Sequence, residues 1–537
     1  MTDNRKKYLW GSKRYVSEMI YVCEDLLGEY EFIPVDKFQD ISLVEGVIVI
    51  CDYDMEDKAE YLNGKGMEYQ KDYIMAKDIF LEMDKKEIRF TIRKDRKIVF
   101  WGCGENAKKI GRIEDVDFYI DSNEELKGKT FEGKKILHPD EIDDWKSMYI
   151  YLAVSIRYFG EIEKFLDKKG LVKGKDYFGN INKAFQYLPS RMMMKTLHDK
   201  PMKNFYCEMG MRKVDFSGDG SMHACCGARI APVIGNLFNN STVWEEWNSY
   251  TAKIVKLSMI NKTYSFCSRE KCSGLKARES QIEYEEIDYA GADYSNKGEK
   301  YPPLATICID YTCNLKCGSC REDYKIASKD ELENRSILAA KISNELMPNV
   351  DEIIMAGNGE MFYSKLYRDM WINKSGEKRK GIIVKSNGLL FHEKNWKLLE
   401  EGYREISLDI SIDGASKEVY EEVRRGGKWE VLCKNMKFAS ELRKTGKIKS
   451  FKIEFVVQKK NYMDTQHFVQ LGKEWGCDSV IFARIYNWGT YSWEEFNNDI
   501  TLFENNGTGK IKNQYQDYFK SSVFDDPIVE GIAVFRA

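Results

Sequence analysis

The octapeptide CNLKCGSC, residues 313–320, places three cysteines in a C-x3-C-x2-C arrangement. It follows the apolar run LATICIDYT, residues 304–312, which has the composition of a buried strand. Three thiols within eight residues are typical of a metal or iron–sulfur site. The spacing therefore predicts a cofactor-bearing loop at the end of a strand. Zinc knuckles and fragments of ferredoxin motifs share this spacing, so the loop alone leaves the metal open.

The length and charge of the chain limit its class. Its 537 residues predict about three or four domains, because single hydrophobic cores stop growing well below that size. The 83 basic and 86 acidic residues are well mixed and give a net charge of -3, so we expect no nucleic-acid partner and no membrane. The chain shows no secretory pattern and no run of about 18 apolar residues. We therefore expect a cytoplasmic protein whose fourteen cysteines do not form structural disulfides.

Apolar segments follow the cysteine loop at regular intervals and predict strands that alternate with helices. Small or polar residues stand at the ends of the next three strands: Gly357, Gly359 and Glu360 in DEIIMAGNGEMF, Ser386 and Asn387 in GIIVKSNGLL, and Asp409, Ser411 and Asp413 in EISLDISIDGAS. The segments KSFKIEFVVQKKN and DSVIFARIYNWGT, which begin at residues 449 and 478, supply strands five and six. This order predicts a parallel sheet with polar residues along one edge.

In its cysteine loop and the strands that follow, the stretch from about residue 301 to 490 resembles the radical SAM superfamily. The resemblance implies a partial (β/α)6 barrel, in which ligands lie at the carboxyl ends of the strands. It also implies that Cys313, Cys317 and Cys320 ligate three irons of a [4Fe-4S] cluster. The fourth iron would bind S-adenosylmethionine, which an electron from the cluster cleaves to a 5′-deoxyadenosyl radical. A reductant such as flavodoxin or ferredoxin is the implied partner.

The same resemblance assigns the contacts with S-adenosylmethionine. They fall on residues at the strand ends, namely Gly357, Gly359 and Glu360 for the amino group, Ser386 and Asn387 at the third tip, Ser411 and Asp413 near the ribose, and Arg424 for the carboxylate. Arg424 is chosen over Arg425 within KEVYEEVRRGGKWEVL. One departure is Ser319, because many family members carry an aromatic residue there that packs on the adenine. Tyr311 and Phe482 are the substitutes that we expect.

A second group of cysteines precedes the loop. Cys207, Gly220 and Cys225 form C-x12-G-x4-C, and Cys267 and Cys272 form C-x4-C. Four thiolates can bind one tetrahedral zinc or all four irons of a cluster. With the later "GN" and W-x-x-W-N signatures, residues 205 to 275 resemble the twitch domain, the shorter form of the SPASM domain. The resemblance implies an auxiliary [4Fe-4S] cluster on Cys207, Cys225, Cys267 and Cys272, in a domain that commonly follows the barrel rather than preceding it.

Cys226 directly follows Cys225. Because adjacent cysteines cannot easily place both sulfurs on one cluster, we predict Cys225 as the ligand and Cys226 as a packed thiol.

The first part of the chain contains an internal repeat. KYLWGSKRYVSEMI and VIVICDYDMEDKAEYLNGKGMEYQKDYI, from residues 7 and 47, are echoed by KIVFWGCGENAKKIG and YIYLAVSIRYFGEIEKFLDKKGLVKGKDYF, from residues 97 and 149. Each copy reads as strand, glycine turn, helix, strand and helix, which predicts two Rossmann-like domains. In the second copy, Gly102, Gly104 and Ala107 form G-x-G-x-x-A, and Asp121 ends the next strand. This pattern fits a dinucleotide or nucleotide-sugar site, and a degenerate scaffold fits it as well.

The fold class that we predict is α/β: a partial (β/α)6 radical SAM barrel, a small α+β twitch domain and two tandem Rossmann-like α/β domains. The predicted segments are 1–80 and 81–190 for the two repeats, 191–300 for the auxiliary-cluster domain, 301–490 for the barrel and 491–537 for a C-terminal segment that caps its open side.

The predicted function is that of a radical SAM enzyme that oxidises or epimerises a carbohydrate or nucleotide-linked small molecule after hydrogen abstraction. In this scheme the auxiliary cluster relays an electron. The alternative enzymatic hypothesis is modification of a ribosomally synthesised peptide. The non-enzymatic hypothesis is a metal-binding scaffold without catalysis.

Overall fold

A computed structural model describes most of the chain. The described residues are 5–34, 46–91, 96–104, 107, 116–154, 159–173, 175–178, 187–238, 241–269, 271–276, 281–285, 300–321, 323–324, 327, 329–355, 357, 359–373, 375–487 and 490–536. The chain forms two compact units. Unit 1 contains Met1–Val214, Asp219–Cys272 and Arg278–Pro302, and unit 2 contains Asp215–Gly218, Ser273–Ala277 and Pro303–Ala537. Across the described residues, no helix is both long and apolar enough to span a bilayer.

The first sheet of unit 1 has four parallel strands in the order β2-β1-β3-β4. The strands are β1 (Lys7–Gly11), β2 (Tyr30–Pro34), β3 (Val47–Cys51) and β4 (Tyr73–Met75), and the helices are Lys13–Leu27, Met55–Gly64 and Ala76–Thr91. All five residues of β3 are buried, as expected for a parallel strand covered on both faces.

The second sheet of unit 1 has six strands in the order β10-β9-β5-β6-β8-β7. The strands are β5 (Lys97–Trp101), β6 (Phe118–Ile120), β7 (Thr130–Phe131), β8 (Lys134–Leu137), β9 (Met148–Leu152) and β10 (Tyr177–Phe178). The helix Phe159–Lys168 belongs to the same repeat. Only β7 runs antiparallel to its neighbour among the described pairs. In both sheets the first strand lies inside the sheet, which agrees with a doubly wound order. The Rossmann-like assignment stays a prediction.

Two glycines occupy equivalent positions at the ends of β1 and β5. A Cβ on Gly11 would lie 1.8 Å from the carbonyl oxygen of Cys51. Gly102 has a φ of +112°, and a Cβ there would lie 2.8 Å from Val154 and 3.0 Å from the carbonyl oxygen of Ala153. Only glycine permits these close approaches between strand ends, so the glycine turn of each repeat has the same structural cause.

The remainder of unit 1 holds the second cysteine group. The strand β11 (Lys213–Ser217) begins in unit 1, and its residues from Asp215 onward belong to unit 2. The other elements are the helices Pro189–His198, Met209–Arg212, Val243–Trp247 and Tyr250–Ile260, and the strands β12 (Ser221–Ala224) and β13 (Gly235–Asn236). β12 and β13 pair antiparallel, with Ser221 opposite Asn236. Thr242 begins the helix Val243–Trp247 through a capping box with Glu245. The "GN" and W-x-x-W-N signatures therefore lie on a hairpin strand and a capped helix.

Unit 2 is built on seven parallel strands in the order β14-β15-β16-β17-β18-β19-β20. They are β14 (Leu304–Cys308), β15 (Glu352–Met355), β16 (Arg379–Ser386), β17 (Tyr403–Ser411), β18 (Ser450–Val457), β19 (Ser479–Arg484) and β20 (Val529–Glu530). The helices between the first six strands are Lys329–Lys341, which continues as a π turn over Ile342–Leu346, then Lys365–Trp371, Glu393–Gly402, Lys417–Val423, Trp429–Lys444 and Thr465–Glu474. The predicted α/β class and parallel sheet are confirmed, whereas closure into a partial barrel stays a prediction.

The central strands of unit 2 have one apolar and one polar face. The apolar face is fully buried and consists of Ile382, Val384, Leu408, Ile410, Ile453 and Phe455. The alternating residues on the other face include Lys385, Asp409, Ser411 and Glu454, which are half-buried. The carboxyl ends of the same strands carry the residues that the sequence predicts as ligand contacts.

The C-terminal segment lies beside β19. Val480 of β19 pairs with Val529 of β20. The ring of Tyr462 packs against Tyr515 and Tyr518, with ring centroids 5.1 and 5.3 Å away. The short helices of this segment are Trp493–Glu495, Asn513–Gln516 and Ala533–Arg536, with a π turn over Phe496–Ile500. Its predicted role in capping a barrel is untested by these contacts.

The close approach at Gly11 predicts a large effect of a single methyl group. We expect Gly11→Ala to destabilise the protein by about 3 kcal/mol, because the added Cβ overlaps backbone atoms that cannot rotate away. Gly64→Ala is the matched control, since nothing lies within 4 Å of its Cβ position, and it should be neutral or stabilising by up to about 1 kcal/mol. Urea unfolding followed by circular dichroism measures both, and equal midpoints would contradict the predicted contact.

Candidate functional site

The cysteine loop lies directly after β14, and backbone hydrogen bonds hold its shape. The N–H groups of Cys320 and Arg321 donate to the carbonyl of Cys317 at 2.9 and 3.0 Å, which closes a turn. The N–H of Leu315 points at the Cys313 sulfur, 3.4 Å away. The loop therefore presents its three thiols from a single short turn at the carboxyl end of the first strand of unit 2.

Two arginines clamp the loop. Arg425 donates from Nε to the carbonyl of Lys316 at 2.9 Å and from Nη2 to that of Arg321 at 3.1 Å, and its own carbonyl accepts from Lys316 N–H. Buried Arg321 donates from Nη1 to the carbonyl of Tyr311 at 2.7 Å, and its Nη2 lies 3.2 Å from the Cys320 sulfur. Sequence patterns assign no role to Arg321 and favour Arg424 over Arg425, because neither contact has a local signature.

A buried polar network fixes the segment that leads into the loop. Asp310 accepts from Arg335 Nη1 at 2.7 Å, from Ser364 Oγ at 2.6 Å and from Thr312 Oγ1 at 3.1 Å. The Tyr367 hydroxyl accepts from Asp310 N–H and donates to Asp310 carbonyl, both at 2.9 Å. Because Asp310 is three residues before Cys313, these bonds determine where the first thiol lies.

Burial disfavours the charged thiolate form of the loop cysteines, and nearby donor groups partly offset this effect. Burial raises the pKa of Cys313 to about 11, while the Leu315 N–H opposes that rise. Burial also raises the pKa of Cys317, and the Arg424 guanidinium opposes it from 3.9 Å. Cationic and N–H groups around soft sulfur donors are what a thiolate-bound metal centre requires. The donor set therefore fits three corners of an iron–sulfur cubane.

Arg424 and Asp413 form a buried ion pair beside this loop. Arg424 Nη2 lies 2.8 Å from Asp413 Oδ2; the Asp413 side chain is almost completely buried, and that of Arg424 keeps 14% of its exposure. Asp413 also accepts from Val456 N–H at 2.7 Å, and its φ of +64° places it at a sharp turn after β17. Burial raises the pKa of Asp413 despite the arginine. Among the described residues, Arg424 Nε is a buried donor that no acceptor reaches.

The glycine-rich segment after β15 packs tightly onto the end of β14. A Cβ on Gly357 would lie 2.5 Å from the Cys308 sulfur, and one on Gly359 would lie 2.6 Å from the carbonyl oxygen of Asp310. The close packing of two strand ends thus requires both glycines. The intervening Asn358 lies outside the described residues.

Glu360, Ser386 and Asn387 join the strand ends to each other. The carboxylate of Glu360 accepts from Ser386 Oγ and from Asn387 N–H, both at 2.8 Å, and burial raises its pKa. Asn387 Nδ2 donates to Asn314 Oδ1 at 2.8 Å, inside the cysteine loop. These three residues lie together and contact one another, and their predicted contacts with S-adenosylmethionine stay a prediction.

Ser411 lies on the polar face of β17, where its hydroxyl donates to Glu454 Oε2 at 3.1 Å.

Tyr311 and Phe482, the two rings expected in place of the missing aromatic residue, lie in different surroundings. The Arg335 guanidinium stacks 3.8 Å above the Tyr311 ring, and Phe482 packs among Phe455, Phe468 and Phe524. Phe482 is therefore an apolar core residue.

Tyr491 is an aromatic residue at the loop that sequence reasoning missed. A Cβ on Gly318 would lie 3.0 Å from its hydroxyl. Gly318 directly precedes Ser319, where the family resemblance expected a ring. No pattern near residue 491 could have indicated this contact, since 173 positions separate the two residues.

The second cysteine group comes together within unit 1. Burial raises the pKa of Cys267, and the charges of Cys272, Cys225 and Cys207 contribute to that rise. Cys207 N–H donates to the Tyr264 hydroxyl at 2.9 Å, and Cys272 N–H donates to the Ser268 carbonyl at 2.9 Å. Cys267 therefore lies within electrostatic reach of the other three predicted ligands, and their joint binding of a cluster stays a prediction.

Cys225 and Cys226 differ in conformation. Cys225 has a φ of +62°, and its N–H donates to the Lys213 carbonyl at 2.6 Å. Cys226 begins a turn in which its carbonyl accepts from Arg229 and Ile230. Cys225 itself adopts the left-handed conformation, which few residues other than glycine adopt, so the two cysteines have different backbone environments.

In the second repeat, the Asp121 carboxylate accepts hydrogen bonds from the backbone of the glycine turn and of its own loop. Its Oδ2 accepts from Cys103 N–H at 3.1 Å, and its Oδ1 accepts from Asn123 N–H at 2.9 Å. Gly104 is open, with nothing within 4 Å of its Cβ position. The helix expected after Ala107 falls mostly outside the described residues. Nucleotide binding at Gly102, Gly104 and Asp121 thus stays a prediction, and the backbone already uses both carboxylate oxygens.

Comparison with known proteins gave matches among solved structures alone; no protein-family model and no curated protein matches the chain. Streptococcus suis SuiB bound to precursor peptide SuiA is similar over 43% of this chain and 48% of that chain, at 16% identity and a TM-score of 0.29. Native anSMEcpe with bound AdoMet is similar over 41% and 59%, at 20% identity and a TM-score of 0.28. TYW1 with a lysine-pyruvate adduct bound is similar over 40% and 74%, at 16% identity and a TM-score of 0.23. These similar structures are radical SAM enzymes. The chain spans about half the length of the SuiB and anSMEcpe chains that it matches.

Removing Arg424 tests the buried ion pair. We expect Arg424→Met to lose about 3–5 kcal/mol of stability near pH 7, because it leaves the Asp413 carboxylate buried and unpaired. The loss should shrink toward pH 4. A buried carboxyl whose folded pKa is raised favours the folded state once it is protonated, and that gain is lost as pH rises through the folded pKa.

Lys417→Met is the matched control, since Lys417 pairs with Glu430 at the exposed surface and should leave the unfolding midpoint unchanged. Urea titrations at several pH values provide the measurement. A pH-independent loss for Arg424→Met would contradict the role given to Asp413.

The neighbouring cysteines provide their own control for the auxiliary site. After anaerobic reconstitution, we expect Cys225→Ala to lose about four irons per chain and Cys226→Ala to lose none, because only one of the two sulfurs serves the cluster. Iron and acid-labile sulfide assays measure both variants. The reverse result would assign Cys226 as the ligand.

Proposed function

We propose that this chain is a radical SAM enzyme that abstracts a hydrogen atom from a small substrate. The observation that carries the proposal is the placement of Cys313, Cys317 and Cys320 on one clamped turn at the carboxyl edge of a parallel sheet, with the guanidinium groups of Arg321 and Arg424 at the sulfurs of Cys320 and Cys317. This edge is where α/β folds of this kind bind ligands.

The three thiols would hold a [4Fe-4S] cluster with one iron free for S-adenosylmethionine. Together the cluster and S-adenosylmethionine supply a 5′-deoxyadenosyl radical, chemistry that no side chain provides. The residues of the chain bind and orient these groups. Arg424 offers its unused Nε donor to an anionic group such as the carboxylate of S-adenosylmethionine.

The other proposed contacts with S-adenosylmethionine surround the same edge. Gly357 and Gly359 carry no side chain, so their backbone would be able to approach a ligand closely, and Ser411 and Asp413 follow along β17. Glu360, Ser386 and Asn387 act by holding the strand ends in place, because their polar atoms are already bonded to one another. Tyr491 is the proposed aromatic contact in place of the residue missing before Cys320.

Cys207, Cys225, Cys267 and Cys272 would bind an auxiliary [4Fe-4S] cluster that accepts the electron left after hydrogen abstraction. Flavodoxin or ferredoxin would supply the electron that starts turnover. Zinc is the competing occupant of four thiolates, and metal analysis separates the two. The preferred substrate is a carbohydrate or nucleotide-linked small molecule, and modification of a ribosomally synthesised peptide is the rival.

The decisive experiment is anaerobic incubation of the reconstituted protein with S-adenosylmethionine and dithionite. We expect about eight irons per chain and release of 5′-deoxyadenosine. Cys317→Ala should abolish that release, and Cys433→Ala should not, because Cys433 is a half-exposed residue of the helix Trp429–Lys444. A fully iron-loaded protein that releases no 5′-deoxyadenosine would establish the scaffold reading instead.

A further inference from the structure

Three charged side chains from neighbouring strands meet on the polar face of unit 2. Lys385 of β16 places its Nζ 3.0 Å from Asp409 Oδ2 of β17 and 2.7 Å from Glu454 Oε1 of β18. Ser411 completes the group through its hydrogen bond to Glu454. These four residues are called the strand-face cluster.

Strand register brings the cluster together. Lys385 lies opposite Asp409 in the β16–β17 pair, and Ser411 lies opposite Glu454 in the β17–β18 pair. Lys385 is two residues before Asn387, and Asp409 is four residues before Asp413. At about 3.3 Å per residue, the cluster lies roughly 7–13 Å along the strands from Asn387, which bonds to the cysteine loop, and from Asp413, which pairs with Arg424 beside it. A small molecule bound at the cluster would therefore extend toward that loop.

The cluster is not a balanced ion pair. One ammonium faces two carboxylates, and such excess charge costs stability in a site shielded from water. The side chains of Lys385, Asp409 and Glu454 keep 32%, 18% and 23% of their exposure, so water or a ligand can reach them. A link that only joined strands would gain more from apolar residues of the same size.

Of the four residues in the cluster, Asp409 has the surroundings that least favour its charged carboxylate. Burial raises its pKa to about 6, and the charge of Glu454 adds to that rise against the pull of Lys385. Burial acts on Glu454 as well, but Lys385 outweighs it and lowers the pKa of that carboxyl. Within the described part of the chain, Asp409 Oδ1 is a buried acceptor that no donor reaches.

The donors and acceptors that the cluster leaves unused indicate which kind of ligand group would fit it. An ammonium has three donors, and Lys385 uses two of them on the carboxylates. A hydroxyl group can accept from the remaining donor and donate to the Asp409 carboxylate, whose side chain keeps 18% of its exposure. A cationic group such as an ammonium has only donors and cannot accept from Lys385, and an anionic carboxylate has only acceptors and cannot donate to Asp409. A neutral hydroxyl therefore matches the cluster better than either charged group.

We propose that the strand-face cluster recognises the substrate and that the substrate is a polyhydroxylated molecule, held through its hydroxyl groups by Lys385 and Asp409. The inference rests on the proposed function, because it assigns the substrate class of the same site. Free sugars, cyclitols and nucleotide-linked sugars share this hydroxyl chemistry.

Saturation-transfer NMR on the purified chain tests the inference with three probes: myo-inositol, D-glucose and UDP-glucose. We expect at least one probe to bind, and Asp409→Asn and Lys385→Met to weaken that binding at least tenfold. Lys380→Met is the control, because Lys380 lies exposed on the same strand and pairs with Asp351. It should bind as the wild type does. Binding of UDP-glucose alone would identify the nucleotide-linked source.

A cluster that only stabilises the sheet would give a different result. In that case the variants would unfold more easily while bound probes stayed unaffected, and the inference would be overturned. Binding of none of the three probes to the wild type would overturn it as well. Folding of each variant is checked by circular dichroism. Asp409→Asn keeps the shape of the side chain, so it separates lost charge from lost fold.

The readout also separates this inference from the proposed function. Probe binding needs no electron and no turnover, whereas release of 5′-deoxyadenosine by the wild type needs both. Polyol binding without S-adenosylmethionine cleavage would overturn the radical reading alone. Cleavage together with polyol binding that is absent or insensitive to Asp409→Asn would overturn the substrate assignment alone.

Discussion

The cost of placing negative charge on clustered sulfur atoms governs the architecture of unit 2. Burial raises the pKa of the Cys313 and Cys317 thiols, so metal binding requires compensating groups in the protein. Arg321 approaches Cys320, Arg424 approaches Cys317, and the Leu315 N–H approaches Cys313. Each sulfur thus has at least one donor nearby. The same arginines must be held in turn, which explains why Asp413 is buried opposite Arg424.

The strand ends around the loop form a connected support. Asp310 anchors the entry to the loop through Arg335 and Ser364, and Glu360 ties the end of β15 to the tip of β16. Asn387 then bonds into the loop through Asn314. Buried polar groups that are fully bonded are rigid, because any movement leaves one of them unpaired. A site that positions a reactive species over one carbon needs such rigidity.

The two sheets of unit 1 share one structural feature. Gly11 and Gly102 each stand at the end of the first strand of their sheet and allow a neighbouring strand end to come within contact distance of the backbone. In the second repeat, Asp121 is committed to the turn itself, so the motif that resembles a nucleotide site also has a purely structural explanation. The cysteines of the same unit gather around Cys267. A hairpin turn with a left-handed residue at Cys225 and a second segment that contains Cys267 and Cys272 supply them.

Local sequence patterns suffice to predict several features: the C-x3-C-x2-C turn, the apolar strands, the parallel α/β class and the glycines at the strand ends. These follow from neighbouring residues, whose spacing fixes turns and periodicity without reference to the rest of the chain. Other contacts are visible only in the folded chain: Arg425 bonds to the cysteine loop, Glu360 to Ser386, Tyr491 lies at Gly318, and Lys385 lies between two carboxylates. These contacts join residues 24 to 173 positions apart. Their partners depend on strand register and packing, which no local pattern encodes.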